Sequence, residues 1–197
     1  MRDGRQHYTY SKVMCWVGVE RAIRLAETLQ IDKNTLASWK KLRKTIHDWI
    51  WTHCFDKKRN VFVQHPNTTR QDATNFLFVL LQFLNRHDPL TKTIVENTAK
   101  ELVFENVFVY RYKGADGIQG EEGAFILCSH WYVAALAMVE QTQKSKKICM
   151  QLLEYTNTQK LLAEQMHPQT KQYLGNYPQA FSHIGLIMSA YYIQRYS

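Results

Sequence analysis

The stretch GAFILCSHWYVAALAMVEQ, residues 123–141, decides how the chain is organised. It is apolar nearly all the way round. A surface helix keeps one polar face, whereas a helix apolar on most sides is buried on most sides. QDATNFLFVLLQFLNR, residues 71–86, has the same character and is predicted to be a second buried helix. The segments between and around them differ. Over 8–30, Val13, Val17, Ile23 and Leu29, with Met14, Leu25 and Ala26, leave one broad apolar side. Over 36–53, Trp39, Leu42, Ile46, Trp49 and Ile50 recur at helical spacing. Asp88-Pro89 starts another helix, to about residue 103, because proline is tolerated in a first turn. A shorter helix follows near 144–157, and PQAFSHIGLIMSAYYIQRY, 178–196, forms the last.

This reading predicts about seven helices and no sheet, with VFV at 61–63 as a short strand or an extended turn. Very apolar helices alternate with amphipathic ones. That suits two layers, inner helices buried all round and outer helices with one wet face. An irregular bundle gives the same periodicity. No fixed-period repeat, low-complexity tract or linker interrupts the 197 residues, so one domain is expected.

Composition narrows the function. The chain is 45% hydrophobic and 13% aromatic, with few glycines and prolines, which suits a packed core rather than disorder. No apolar run is long enough to cross a bilayer. MRDGRQHY has no apolar stretch behind its charges and is not a secretory signal. Cys15, Cys54, Cys128 and Cys149 are scattered, which predicts reduced thiols in a cytoplasmic protein. No Cys or His pair has zinc-ligand spacing, so neither metal nor other cofactor is expected. The net charge is +8, concentrated in WKKLRK (39–44), DKKR (56–59) and QKSKK (143–147). These clusters fall near helix starts and loops with no glycine–aromatic RNA signature, and read as a solvated surface rather than a nucleic-acid site.

Binding groups concentrate on loops, and two loops stand out. YRYKGADGIQGEEGAF, 110–125, carries Arg111, Asp116, Glu121, Glu122 and Phe125. AEQMHPQTKQYLGNYPQAFSH, 163–183, carries Glu164, Gln165, Gln179, Phe181 and His183. Carboxylates and amides hold sugar hydroxyls, and rings cover the apolar sugar face. Glycosidases also need two carboxyl groups at a set separation. Each residue has a plainer explanation. Spacing alone favours Glu164 as a helix cap or a lysine partner. Arg111 is as readily a loop brace, Glu121 and Glu122 are suited to a helix N-terminus, Phe125 and Trp131 to a core, and His183 to a core histidine.

Four segments resemble the bacterial glucoamylase-like and trehalase-like members of glycoside hydrolase family 15. They are HYTYSKVMCWVGVERAIRLAE (7–27), RQDATNFLFVLLQFLNRHDP (70–89), YRYKGADGIQGEEGAFILCSHW (110–131) and LLAEQMHPQTKQYLGNYPQAFSHIGLI (161–187). They stand in the family's order, and the resemblance covers nearly the whole chain. The resemblance implies an all-α fold, an (α/α)6 barrel, of which this chain would hold the last seven helices or so. It also implies an inverting α-glucoside hydrolase of glucoamylase type, with trehalase as the alternative. A non-catalytic sugar- or protein-binding remnant remains the other alternative. In inverting enzymes one carboxylic acid protonates the leaving oxygen and a carboxylate activates water on the opposite face, the two about 6.5–9.5 Å apart.

On this resemblance Glu164 matches the general base, expected at the end of an inner helix. The general acid belongs to a Trp-Glu-x-Arg motif. Met1 and Arg2 match its last two positions, so the glutamate would stand immediately before Met1, outside this chain. Arg111 matches an arginine that binds sugar hydroxyls, and Phe125 an aromatic lining the site. Glu122 falls in the site-lining loop. Gln179, Phe181 and His183 open the last inner helix, with Phe181 counted among the substrate-binding residues. Two positions depart from the family pattern: His167 stands where an aspartate is usual, and Lys171 where a glycine is. A partial barrel would leave inner-helix faces bare. The chain is therefore expected to self-associate, to dock on a separate N-terminal half or to be poorly stable, and to be nearly inactive alone. Its partner otherwise is an α-glucoside or oligosaccharide substrate, with no nucleic acid and no membrane.

Overall fold

A computed structural model describes residues 5–26, 28–114 and 123–197. The chain divides into two compact units, residues 1–69 and 70–197.

In the first unit, α1 (Thr9–Leu25) packs on α2 (Lys33–His53). Val13, Trp16 and Val17 supply the buried side of α1, and Ile50 that of α2. The expected helix at 8–30 is thus shorter than its periodicity, and that at 36–53 begins earlier. Asp32 explains the earlier start: its carboxylate accepts hydrogen bonds from the Asn34 and Thr35 N–H groups, both 3.0 Å, which caps the helix. Those bonds hold the Asp32 carboxyl below its usual range, that from Thr35 most of all. Glu20 is buried and ion-paired with Arg21 and Arg24. VFV does contain a strand: β2 (Val61–Phe62) pairs antiparallel with β1 (Phe55–Asp56). Trp51, Phe55 and Phe62 close on one another with ring centroids 4.6–5.0 Å apart. The basic DKKR cluster is this hairpin's turn, where Asp56 accepts from the Lys58 and Arg59 N–H groups.

The second unit opens with a departure. Residues 71–86 are buried as expected, but they are not one helix. A 3-10 turn (Ala73–Phe76), capped by Asp72, runs into a single turn, α3 (Leu77–Leu80). Gln82 then adopts φ 62°, and the N–H groups of Phe83 and Leu84 both reach back to the Phe78 carbonyl. An apolar run reports burial on all sides, and burial does not by itself specify helix. Then come α4 (Pro89–Leu102), capped by Asp88, and the hairpin of β3 (Val103–Phe104) with β4 (Phe108–Val109).

The rest of the unit is α5 (Ile126–Met138), α6 (Thr142–Glu154) and α7 (Ala180–Arg195), with three short strands. β5 (Ala124–Phe125), β6 (Gln165–Met166) and β7 (Tyr173–Leu174) form an antiparallel sheet with β6 in the middle. Ala124 lies opposite Met166, Phe125 opposite Gln165, and Gln165 opposite Leu174. The sheet was not expected, because a two-residue strand is too short to show alternation. α5 is buried nearly all round; only Leu127 and Trp131 lie partly open. No helix among the described residues is long and apolar enough to cross a membrane.

Candidate active site

The expectation of a helix end at Glu164 is corrected. Leu161–Glu164 is extended chain leading into β6, and the helix before it, α6, ends at Glu154. The apolar residues at 161–163 bury Leu162 and Ala163 without forming a turn of helix.

Extended chain outside a sheet must still satisfy its backbone. Here neighbouring elements do so, and their bonds locate Glu164. The Leu162 carbonyl accepts from the Gln179 N–H (2.8 Å), and the Leu162 N–H donates to His183 Nε2 (3.2 Å). The Ala163 carbonyl accepts from buried Ser182 Oγ (2.7 Å). Glu164 donates its N–H to the Asn176 carbonyl (2.9 Å) and accepts from the Ile126 N–H (3.1 Å). Its backbone therefore bridges the β7 loop and the start of α5.

The carboxylate is held on one side. Oε2 accepts from the Asn176 N–H (3.0 Å) and from Asn176 Nδ2 (2.7 Å). Oε1 has no hydrogen-bond partner among the described residues, and the residue is half-buried. Gly175 makes this approach feasible. It adopts φ 72°, and a Cβ there would stand 2.8 Å from Oε2 and 3.1 Å from the Glu164 Cβ. Only glycine combines that backbone with that space. Such a carboxylate, oriented through one oxygen and open at the other, can accept a proton from a water.

Phe125 is brought to the neighbouring strand. It lies opposite Gln165 in the sheet and precedes α5, and its carbonyl accepts from Ser129 Oγ (3.1 Å). Gln165 Oε1 in turn accepts from the Gly123 N–H (3.0 Å). Phe181 sits in the first turn of α7, next to Ser182, and is 64% exposed. Gln179 caps α7 through the Phe181 N–H.

Arg111 is held by another part of the unit. Its carbonyl accepts from the Ala73 N–H (2.7 Å), and its Nε lies 3.9 Å from Asp72 Oδ2, with the side chain 46% exposed. Among the described residues its link to the sheet region runs through Val109, whose N–H donates to Ser129 Oγ (3.0 Å). Glu121 and Glu122 lie outside the described residues.

Both departures from the family pattern have a local account. His167 Nδ1 accepts from the Thr170 N–H (3.2 Å), the turn-capping work an aspartate does. Lys171 adopts φ 61°, the left-handed conformation that glycine adopts freely. Its ammonium is bonded to Glu105 and to the Pro168 carbonyl, and lies 4.4 Å from the Phe108 ring centre.

Sequence reasoning missed Asn176 and Ser182, the residues that hold the carboxylate and its backbone. The signal available was Gly175-Asn176, a turn pair two residues beyond Tyr173, which marks a turn but not what it touches.

Known proteins resemble this chain along nearly its whole length. The trehalase of Mycobacterium tuberculosis is 38% identical over 198 residues, covering 99% of this chain and 29% of that protein. The chain therefore spans under a third of this relative's length. Two solved structures share the fold at low identity. A glycosidase matches with a TM-score of 0.79 at 16% identity, over 96% of this chain and 52% of its own. The glucoamylase from Saccharomycopsis fibuligera matches with a TM-score of 0.70 at 12% identity, over 95% of this chain and 55% of its own. The fold is thus that of part of an (α/α)6 barrel. The model of the glycosyl hydrolases family 15 matches residues 1–191, and the chain belongs to that family.

Proposed function

We propose that this chain is the C-terminal part of the catalytic barrel of an inverting α-glucoside hydrolase, with Glu164 as its general base. The observation that carries the reading is the Glu164 carboxylate, tied through Oε2 to Asn176 and, among the described residues, unpartnered at Oε1. In this mechanism the anchored oxygen keeps the carboxylate aimed, and the other takes a proton from the water that attacks the anomeric carbon. The acid that protonates the leaving oxygen, about 6.5–9.5 Å from the base in inverting enzymes, comes from a segment outside residues 1–197.

Trehalose is the favoured substrate. A relative 38% identical over 99% of the chain is a trehalase, which supports this reading over the glucoamylase type that the motifs suggested first. Phe125 and Phe181 line the sugar site in this reading, Arg111 binds sugar hydroxyls, and Glu122 is counted among the substrate-binding residues. The cytoplasm is the proposed compartment, supported by four free cysteines, three of them buried.

The proposed protein partner is the chain segment bearing the rest of the barrel. Phe181, Ile184, Ile187 and Tyr191 recur at helical spacing along α7 and are 64%, 56%, 70% and 50% exposed. A row of large apolar side chains left open to water marks a contact surface.

The test is glucose release from trehalose, maltose and maltodextrin. It uses the chain alone and the chain mixed with an N-terminal half taken from a trehalase relative, each with Glu164→Gln in parallel. Release from trehalose by the mixture, abolished by Glu164→Gln, is expected. Release that survives Glu164→Gln would remove Glu164 from the mechanism.

A further inference from the structure

We infer that His183 and Ser182 are positioning residues for Glu164, and that His183 works as the neutral ring with its proton on Nδ1. The inference rests on the reading of Glu164 as the base and adds what sets its position.

Glu164 is preceded by neither helix nor strand, so no repeating backbone ladder fixes where it starts. The first turn of α7 replaces that ladder. Three of its groups act on two consecutive residues: the Gln179 N–H and His183 Nε2 bracket Leu162 on its carbonyl and N–H, and Ser182 Oγ takes the Ala163 carbonyl. The contacts are polar, close and part-buried or buried, the conditions in which a lost partner costs most. Moving α7 relative to β6 would therefore move the carboxylate.

The ring's protonation state follows from the donor. A backbone N–H can only donate, so His183 Nε2 must present its lone pair and the ring proton must sit on Nδ1. A ring protonated on both nitrogens would set N–H against N–H and release Leu162. Ser182 is constrained in the same way: the Ala163 carbonyl can only accept, so the hydroxyl must donate. Glutamine can place an acceptor oxygen near the position of Nε2, whereas leucine fills the space and accepts nothing.

The test uses nitrogen and carbon NMR on the full 197-residue chain, as wild type and as Ser182→Ala, His183→Gln and His183→Leu. It reads the His183 tautomer, the exchange protection of the Leu162 amide and, at one fixed pH, the chemical shift of the Glu164 carboxyl carbon. Expected are the Nδ1–H tautomer in the wild type and a loss of Leu162 protection of about tenfold or more in His183→Leu. A displaced Glu164 carboxyl signal should accompany that loss. His183→Gln should restore both, and amides in the second half of α7 should stay protected throughout. An Nε2–H tautomer in the wild type would overturn the inference with no variant needed. So would His183→Leu with wild-type Leu162 protection and an unmoved Glu164 carboxyl signal. None of these readouts uses turnover, so hydrolysis that survives Glu164→Gln would sink the base assignment and leave the clamp standing.

Discussion

α5 and α7 are both apolar helices in sequence, yet they meet their surroundings in opposite ways. α5 buries large and small side chains alike, from Ile126 to Met138. α7 buries its small residues, Ser182, Gly185 and Ser189, and leaves Phe181, Ile184, Ile187 and Tyr191 open. Gly185 and Ser189 face α5: a Cβ at Gly185 would stand 3.0 Å from Leu127 Cδ1 and 3.1 Å from the His130 Cβ. Farther along, His130 Nδ1 lies 3.0 Å from Ser189 Oγ. Close approach here is set by absent side chains, and the large side chains stay outside the second unit's own core.

Gly185→Leu should be the most damaging change, because it drives a side chain into a helix pair with no room for one. A loss of about 3 kcal/mol or more is expected in chemical denaturation. A loss as small as that of a surface substitution would mean the two helices can separate cheaply.

His130 gives the next effect, of the same origin. It is fully buried, and burial first, with the nearby His183 second, lowers its pKa from 6.5 to about 4. A group that resists protonation in the fold but not in the unfolded chain stabilises the fold above its unfolded pKa. That stability is lost as pH falls from about 6.5 toward 4. Unfolding free energy should drop by about 2 kcal/mol between pH 7 and pH 5 from this residue, and His130→Gln should flatten that part of the profile.

Gly175→Ala asks whether the same rule holds in a loop. It forces a side chain into φ 72° and into contact with Glu164 Oε2. About 1 kcal/mol of stability should go, and hydrolysis by the complemented enzyme should fall far more than that loss implies. Ile187→Ser should do least to the fold, within about 0.5 kcal/mol. It should nonetheless weaken association at the open face, read by light scattering with and without an N-terminal half. Equal association before and after would assign that face no partner.

The sequence carried the helical class, most helix positions and the loops worth examining, because burial and capping leave residue-level marks. Asp88-Pro89 announces α4 through chain chemistry alone, and the apolar runs at 71–86 and 123–141 announce burial. Apolarity did not distinguish the broken turns after Asp72 from the regular α5. Nor did it show that α7, apolar in sequence, turns its bulk outward. At the site, Glu164 was legible only as a match to a motif. What holds it was not legible: Ser182 and His183 act on backbone groups of Ala163 and Leu162, which have no letter in the sequence, and the Asn176 side chain meets the carboxylate across a 12-residue separation that shows no spacing pattern.

The bonds around Glu164 also bear on the order in which the molecule forms. The carboxylate and Asn176 are 12 residues apart, Ala163 and Ser182 are 19, and Leu162 and His183 are 21. The pairing that ties in the other loop, Gly123 with Gln165, spans 42. Closing a loop twice as long costs only about 0.6 kcal/mol more, but short-range contacts still form first and fastest. The carboxylate's own anchor is thus local in sequence, while the Ile126 N–H that holds the Glu164 carbonyl arrives from 38 residues away.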